Sequence, residues 1–148
     1  MVIIGIDPDL TKPGVCIMQA SGEFDLVKKY SMSKLLEDIP NYASQGFIFA
    51  VENCSEVKTI YARNRKGGTA EQAKIAQNVG QVKGAQVVLC NYIEHCGGEL
   101  MLVPVGAGKQ VKNNSALFRK MTGYTGRTNE DDRDAWAIAN YARNKLGR

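Results

Sequence analysis

Four acidic residues, at three separate places in the sequence, could bind divalent metal ions together. Asp7 ends the apolar segment VIIGID, and Glu52 ends the apolar segment FIFAVE. Asp131 and Asp134 lie near the start of the last predicted helix. At about 100° per residue these two aspartates stand only roughly 60° apart, so they share one face of that helix. Residues that close a strand project into a cleft, so all four carboxylates are candidate ligands.

Carboxylates that face an apolar interior need a compensating partner. Asp131 and Asp134 belong to the stripe that continues into the apolar face of the helix, where unpaired carboxylates would cost several kcal/mol. A divalent cation is the simplest compensation, and four such groups can hold two Mg²⁺ ions about 4 Å apart. Two alternatives stay open: acids in a first helical turn favour the macrodipole, as Glu130 and Asp132 do, and an aspartate before proline, such as Asp7, is a common turn former.

The basic residues form two clusters that could hold phosphate groups beside the acids. A net charge of +4 and a pI near 8.9 permit a polyanionic partner without requiring one. Solvated faces are the alternative interpretation of either cluster alone, but flanking an acidic centre they favour phosphate contacts. The first cluster contains Lys58, Arg63, Arg65 and Lys66, and the second contains Lys109, Lys112, Arg119 and Lys120.

Apolar periodicity and turn residues predict the element order β-β-β-α-β-α-β-α-α. This order is typical of an α/β domain with a five-stranded mixed sheet flanked by helices, and we expect one domain over residues 1–148. Pro40 is expected to break the first helix, and the stretch 54–68 is expected to be a mobile loop. The predicted strands are 2–7, 13–19, 23–31, 47–52 and 100–105, and the predicted helices are 33–43, 69–96, 111–121 and 130–146.

The longest predicted helix combines a start signal with a ridge of small residues. Thr69 with Gln72 fits a capping box, as Thr128 or Asn129 fits a cap for the last helix. Small residues recur every fourth position, and each glycine costs roughly 1 kcal/mol relative to alanine, which close packing should offset. The ridge contains Ala76, Gly80 and Gly84. It could pack on the sheet of its own chain or form a seam between two subunits.

Several function classes find no support in the sequence. No apolar run is long enough to cross a bilayer and the first residues do not resemble a signal peptide, so we expect a cytoplasmic protein without a membrane partner. The four cysteines have no CxxC spacing, which favours reduced thiols in the core over a zinc site. His95 is the only histidine and has no supporting Ser or Cys motif. The cysteines are Cys16, Cys54, Cys90 and Cys96.

The order and spacing of five motifs make the sequence similar to RuvC-type Holliday junction resolvases along nearly the whole chain. The first motif alone is weak, because a GID segment also opens sugar kinases and chaperone ATPases. The last motif, with its D-x-x-D-A-x-A-I-A pattern, makes the resemblance specific. The motifs are IGIDP at 4–8, PGV at 13–15, AVE at 50–52, GQVKG at 80–84 and DDRDAWAIA at 131–139.

This resemblance implies an RNase H-like fold and a homodimer that holds a four-way DNA junction and nicks two strands of like polarity, as in DNA recombination and repair. It implies a Mg²⁺-dependent endonuclease with two ions per active site, for which Mn²⁺ can substitute. Asp7 would bridge both ions, one acidifying the attacking water and the other stabilising the leaving oxygen. By motif position, the metal-binding and catalytic acids would be Asp7, Glu52, Asp131 and Asp134.

The resemblance also implies roles for basic residues and for the long central helix. Lys112 falls where the family places a lysine near the scissile phosphate, and Arg119 or Lys120 matches a second basic position. The central helix carries the family's dimer interface, which favours the seam at Ala76, Gly80 and Gly84. The further DNA-binding candidates are Tyr61, Arg63, Arg65, Lys66, Lys83 and Lys109.

The sequence departs from the family at two places. Asp9 stands where the family usually has glycine, and residues 10–13 continue the loop in an unusual way. The loop after Glu52 is longer and more basic, and only Tyr61 there could stack on a base. These departures leave the sequence preference of cleavage open and favour a phage or viral enzyme acting in the host cytoplasm.

Three other functions compete with junction cleavage. A YqgF-like nuclease would process RNA instead of branched DNA, and a junction-binding protein would not cleave at all. A sugar-kinase-like ATPase would need a duplicated domain and a second glycine-rich phosphate motif, which the sequence lacks. Four carboxylates argue against binding alone, because a phosphate binder gains nothing from an acidic cluster.

Overall fold

The computed structural model describes residues 1–56 and 68–147, and a five-stranded mixed sheet forms its centre. The strands are β1 (Val2–Asp7), β2 (Gly14–Gln19), β3 (Phe24–Leu26), β4 (Ile48–Glu52) and β5 (Glu99–Val103). Their order in the sheet is β3-β2-β1-β4-β5. β1 pairs antiparallel with β2 and parallel with β4, and β4 pairs parallel with β5. The predicted mixed sheet is therefore confirmed.

Helices cover both faces of this sheet. Within the described residues they are α1 (Met32–Ser44), α2 (Thr69–His95), α3 (Lys109–Lys112), α4 (Ser115–Thr122) and α5 (Glu130–Leu146), with a 3₁₀ turn at Cys54–Glu56. Leu35 of α1 and Leu89 of α2 pack in one hydrophobic cluster with Phe49. Phe118 of α4 and Ile138 of α5 pack in the other cluster, on the opposite face. The sheet thus separates two cores.

The alternation of side chains along β1 and β4 determines which residues face α5. Ile3 pairs with Ile48, and both belong to the cluster under α5. Ile4 and Phe49 are also paired, and both belong to the cluster under α1 and α2. Because successive strand residues point to opposite faces, every second residue after Ile3 faces α5. On β1 these residues are Gly5 and Asp7.

α5 lies directly on the backbone of β1 because Gly5 has no side chain. A Cβ at Gly5 would lie 2.3 Å from the carbonyl oxygen of Ala135 and 2.7 Å from the Cβ of Ala139. A Cβ at Gly14, on the neighbouring strand, would lie 2.5 Å from the carbonyl oxygen of Asp131. These contacts determine both the height and the position of α5 over the sheet.

Pro40 does not break α1, contrary to the prediction. The helix continues through it to Ser44. A proline inside a helix removes a backbone hydrogen bond and costs about 3 kcal/mol. Leu35 and Ile39 are fully buried on the side of α1 that faces the sheet, while Pro40 itself is exposed. Burial of the apolar face therefore outweighs the local penalty.

Three other element predictions need correction. The predicted helix 111–121 is two helices, because the Asn114 side chain accepts the N–H of Leu117 and starts α4 anew. The predicted capping box of α2 is wrong, because the N-cap is Gly68, one residue before Thr69, and it has no side-chain cap. The third strand, predicted at 23–31, contains only three residues, and its chain turns at Lys29, where φ is +54°.

No helix in the described part of the chain combines the length and the apolar character needed to cross a membrane.

The close approach at Gly5 leads to a stability prediction. Gly5→Ala should lower the free energy of unfolding by about 3 kcal/mol, because the new methyl group meets helix backbone that cannot move without displacing α5. Gly80→Ala is the control, since its Cβ meets nothing within 4 Å among the described residues and alanine favours a helix by up to about 1 kcal/mol. Urea unfolding at concentrations that keep the chain monomeric measures both. Equal effects of the two substitutions would contradict the packing account.

Candidate active site

Two of the candidate carboxylates lie side by side at the ends of neighbouring parallel strands. Ile6 of β1 pairs with Val51 of β4, so the next residues along each strand, Asp7 and Glu52, end the strands at the same level. Alternation places both on the face of Gly5, which α5 covers. The backbone N–H of the loop after β5 also reaches this place, since Gly106 donates to a Glu52 carboxylate oxygen at 3.5 Å.

The start of α5 is fixed by a reciprocal cap, as the sequence predicted for Asn129. The Asn129 side chain accepts the N–H of Asp132 at 2.8 Å, and the Asp132 carboxylate accepts the N–H of Asn129 at 2.9 Å. Lys28 also donates to Asp132 at 2.5 Å. Asp132 is thus occupied by the cap and by Lys28.

The other two candidate carboxylates come from the first turns of α5. The backbone of Asp131 lies against Gly14, which is the pairing partner of Asp7. One turn further, an Asp134 carboxylate oxygen lies 2.8 Å from the place where a Cβ at Gly108 would be. The same packing that seats α5 on Gly5 therefore brings Asp131 and Asp134 to the end of β1.

The two aspartates of α5 differ in exposure, and this corrects one prediction. Asp134 is buried at 6% exposure, as expected for the apolar stripe, but Asp131 is exposed. The backbone of Asp131 makes the closer contact with Gly14, where a Cβ would lie 2.5 Å from the Asp131 carbonyl oxygen and 3.3 Å from the Asp131 Cβ. Asp131 therefore borders the site from the solvent side.

Lys112 joins the acids as the nearest cation. Its Nζ donates to a carboxylate oxygen of Asp134 at 2.5 Å. The backbone of Lys112 is itself held in place, because the buried Arg133 guanidinium donates from Nε and Nη2 to the Lys112 carbonyl at 2.8 and 2.5 Å. Arg133 also donates to the carbonyl and hydroxyl of Thr128. Through these hydrogen bonds Arg133 links the end of α3 to the start of α5.

Burial and the closeness of the acids to one another raise the pKa values of three of them. Burial, with the nearby charges of Asp134 and Glu52, raises the pKa of Asp7 to about 8. Burial also raises the pKa of Glu52 and of Asp131, against the opposing effects of Gly106 and Lys112. Burial acts to lower the pKa of Lys112, but its bond to Asp134 and the charges of Asp7 and Glu52 outweigh this and raise it. The site therefore carries more negative charge than its one ammonium group offsets.

The donor set suits hard divalent cations, although the ligands do not yet converge. Among the described residues, no three acidic, histidine or cysteine side chains lie close enough together to hold one ion. Lys112 donates to one carboxylate oxygen of Asp134, and Asp131 is exposed. The candidate ligands are oxygen-only, as Mg²⁺ prefers, and the pKa of Asp7 is raised first by burial and then by the charges of Asp134 and Glu52. The chemistry of the donor set therefore fits such an ion, whereas the side-chain positions in the described residues do not form a complete site.

A cavity of about 370 Å³ opens beside Glu52 and Asp134, toward α2. Its walls combine the apolar side chains of Val79, Val82 and Val105 with basic groups. The basic residues are Lys83, Lys109 and Lys112. Three of the predicted DNA-binding residues therefore surround one cavity at the acids. Such a cavity can accept an anionic, partly apolar group such as a nucleotide.

The remaining predicted DNA-binding residues are not brought to this cavity. Arg119 and Lys120 lie exposed on α4 and do not line it. Tyr61, Arg63, Arg65 and Lys66 lie outside the described residues, as does the rest of 57–67.

The small-residue ridge of α2 faces away from the sheet of its own chain. A Cβ at Gly80 or at Gly84 would meet nothing within 4 Å among the described residues. Val87 and Val88 are 50% and 63% exposed on the same side of the helix. Packing of this ridge on the chain's own sheet, one of the two interpretations of the sequence, is therefore wrong.

The cysteines and the histidine pack as structural residues. All four cysteines are free, and only Cys96 is not buried. Cys54 lies beside the acids, where its Sγ is 3.7 Å from the Glu52 carbonyl, and burial raises its pKa to about 12. His95 stacks on Tyr92 at the end of α2. None of these groups forms the nucleophile and base pair of a thiol enzyme.

Two kinds of site residue were not identified from the sequence. Gly14 and Gly108 admit the backbone of α5 and the carboxylate of Asp134, but a single glycine in a strand or loop gives no such signal. Arg133 lies between two aspartates in the last motif and was assigned no role from the sequence. Its burial at 6% exposure depends on α3, which is distant in sequence.

Comparison with solved structures identifies the architecture. Thermus thermophilus RuvC in complex with a Holliday junction substrate matches with a TM-score of 0.57 and 18% identity, over 99% of this chain and 96% of that one. The fold is that of RuvC. A second Thermus thermophilus RuvC structure matches with a TM-score of 0.57 and 20% identity, over 99% of this chain and 97% of that one.

These matches confirm the predicted RNase H-like fold with its mixed sheet and flanking helices. The likeness to RuvC extends over nearly the whole of both chains, so the resemblance that the motifs indicated is present in the fold as well. No protein-family model matches the sequence, and no curated protein does. At this identity the likeness to RuvC establishes the fold alone.

The raised pKa of Asp7 predicts a particular pH dependence of stability. An unfolded aspartate loses its proton near 3.8, whereas folded Asp7 keeps it to about 8. Between these values the folded state binds more protons, so the free energy of unfolding should fall as pH rises, by a few kcal/mol from this group. Urea unfolding in EDTA at pH 5 and pH 8 should show a smaller fall for Asp7→Asn than for the unmodified protein.

Asp25→Asn, which removes an exposed aspartate on β3, is the matched control and should leave the pH dependence unchanged. Adding Mg²⁺ at pH 8 should recover stability in the unmodified protein only. If Asp7→Asn and the unmodified protein lose stability equally between pH 5 and pH 8, the pKa of Asp7 is not raised in the folded protein.

Proposed function

We propose that this chain is a Mg²⁺-dependent DNA endonuclease that cleaves four-way junctions. The observation that carries the proposal is that Asp7 and Glu52 end neighbouring parallel strands beneath α5, whose Asp131 and Asp134 add to the negative charge around Asp7, with Lys112 bound to Asp134. Oxygen ligands next to a lysine at the edge of a cavity are the components that phosphodiester hydrolysis requires. A merely phosphate-binding surface would repel its ligand with such acids.

The residues of the site would have different roles in metal binding and in phosphate contact. Asp7 and Glu52, fixed by the sheet, and Asp134, fixed by α5, would hold the ions, and Asp131 would close the site from the solvent side. Bound divalent cations supply Lewis acidity, which acidifies water and offsets negative charge on phosphate oxygens. Lys112 would leave Asp134 and neutralise charge on the phosphate. Arg133 would act as a positioning residue, because it fixes the backbone from which Lys112 extends.

The choice of branched DNA rests on the fold and on the motifs. One matched RuvC structure contains a Holliday junction substrate. The chain matches that fold over 99% of its length and resembles junction resolvases in five motifs. We further propose that residues 1–148 act as one domain, and that Lys83 and Lys109 hold the strand in the cavity beside the acids.

We also propose that the enzyme is a homodimer joined through α2. Ala76, Gly80 and Gly84 follow one side of the helix, and the exposed Val87 continues that side. Small residues allow close approach of a second helix, and a pair of active sites on one junction would allow paired nicks. Nothing in the described part of the chain covers the two glycines.

A substrate panel tests the function. An immobile four-way junction, a flap, a plain duplex and a structured RNA would each be incubated with and without Mg²⁺. We expect paired nicks in the junction, with Mg²⁺ only. Preferred cleavage of the RNA would support the YqgF-like alternative, and tight junction binding without cleavage would support a purely binding protein. Either result would overturn the proposal.

The carboxylates lead to a second prediction, which separates the cleavage rate from the affinity for the junction. Asp7→Asn or Asp134→Asn should leave junction affinity within a few fold of the unmodified protein and reduce the cleavage rate by several orders of magnitude, because a neutral amide is a poor ligand for Mg²⁺. Gel-shift titration measures binding, and single-turnover cleavage measures the rate. Asp25→Asn is the control. Cleavage at the unmodified rate by either active-site variant would refute these roles.

The dimer leads to a further prediction. Gly80→Leu with Gly84→Leu should shift the molecular mass in light scattering from twice the 16.2 kDa of one chain toward a single chain, because two bulky side chains separate the facing helices. The variant should remain folded, since leucine favours a helix over glycine. Lys145→Leu, which adds an exposed leucine on α5, should remain dimeric. A monomeric unmodified protein would contradict the seam.

A further inference from the structure

A second cavity lies on the other side of the acids. It has a volume of about 430 Å³, and its lining includes Lys12, Gly14, Lys29, Asn129 and Asp131. β2, which carries Gly14, and β4, which carries Glu52, are on opposite sides of β1 in the sheet. The two cavities therefore flank Asp7, and the exposed side chain of Asp131 marks the border of the second one.

The first wall of this cavity is a structured turn after β1. A carboxylate oxygen of Asp9 accepts the N–H of Thr11 at 2.9 Å and the N–H of Lys12 at 2.8 Å, and also the Thr11 hydroxyl at 3.2 Å. These bonds give the loop a defined shape directly after Asp7. The turn carries Lys12 to the cavity, two residues before Gly14. Asp9, which is unusual for the family, thus has a structural function here.

The second wall comes from the turn after β3. Lys29 has φ of +54°, the only positive φ of a non-glycine residue in the described chain. Such a backbone conformation is unfavourable for lysine by about 1 kcal/mol, so the surroundings hold it in place. The neighbouring Lys28 is already engaged, since its Nζ donates to Asp132 and to the Arg127 carbonyl.

Lys12 and Lys29 are less engaged than Lys28, although the charge of Lys12 acts on Asp9. Within residues 1–56 and 68–147, neither side-chain nitrogen forms a hydrogen bond or an ion pair. Two ammonium groups from separate loops therefore line one groove beside the acidic cluster. The sequence did not indicate this group, because Lys12 is isolated and Lys29 has only Lys28 as a basic neighbour.

We propose that this groove binds the phosphate backbone of the nucleic-acid strand next to the cleaved phosphodiester, with Lys12 and Lys29 contacting its phosphates. The inference rests on the proposed nuclease function. It adds a second contact with the strand, on one side of the cleaved bond. A strand that crosses Asp7 leaves one cavity and enters the other, so the groove holds phosphates on one side of the cleaved bond only. Ammonium groups suit phosphates as point charges and carry no base preference.

The first measurement is the salt dependence of junction binding by fluorescence anisotropy in EDTA. Each lost phosphate contact should reduce the slope of log affinity against log salt by about 0.9. We expect this reduction, with three- to tenfold weaker binding near 0.1 M salt, for Lys12→Gln and for Lys29→Gln. Lys145→Gln removes the same charge about 20 Å further along α5 and should change the slope little. Thermal melting of each variant shows that the fold is retained.

The second measurement locates the contact. Single methylphosphonates, which remove one phosphate charge, would be placed at each position on both sides of the cleavage site. A position held by the groove should weaken binding of the unmodified protein but have little effect on the double variant Lys12→Gln, Lys29→Gln. We expect such positions within a few nucleotides, on one side only.

The outcomes separate the two proposals. If the unmodified protein binds and cleaves junctions while both lysine variants keep its salt slope and no position shows coupling, the groove proposal is overturned and the nuclease proposal stands. Coupled positions on both sides would also overturn it. If the unmodified protein does not bind nucleic acid, the nuclease proposal fails and the groove proposal fails with it.

Discussion

The contact between the backbone of β1 and the backbone of α5 determines the rest of this structure. It requires glycine at positions 5 and 14, because a methyl group at either would overlap the helix. A helix held at that height has its first turn level with the end of β1. The first turns of the helix then bring Asp131 and Asp134 near the two strand-ending acids, which lie 79 or more residues earlier in the sequence. The acidic cluster is thus a consequence of packing between small residues.

That cluster creates a charge imbalance which the protein offsets only in part. Lys112 neutralises Asp134, and Arg133 holds the backbone of Lys112 in place, but the pKa of Asp7 remains high. An arrangement of this kind has a higher affinity for added cations than a balanced one. Lys112 lies among the acids, and the other basic groups lie around them, on both sides of β1. Such a surface can attract a polyanion, and its oxygen-rich centre suits a cation.

Much of the fold could be predicted from the sequence, and the reasons differ from one element to another. Period-two and period-3.6 patterns located every strand and the long helices, and the Asn129 cap followed from residue type. Pro40 and the split after Lys112 could not be predicted, because burial of Leu35 and the local cap at Asn114 override periodicity. These are effects of tertiary contacts, which a window of sequence does not contain.

The candidate site divides in the same way. Strand ends and the spacing within the last motif predicted the four carboxylates as one group, because both depend on local geometry. Among the described residues, no three of these side chains lie close enough together to hold one ion. The exposure of Asp131, the burial of Arg133 and the groove at Lys12 depend on which loops lie next to one another. Charges that are isolated in sequence give no sign of this.

The most direct test of the account is an anomalous-diffraction experiment on crystals soaked in Mn²⁺. The account predicts anomalous density between the carboxylates of Asp7 and Asp134, with Glu52 and Asp131 turned toward it and Lys112 displaced from Asp134. A map in which Lys112 keeps its bond to Asp134 and no anomalous density lies among the four acids would contradict it.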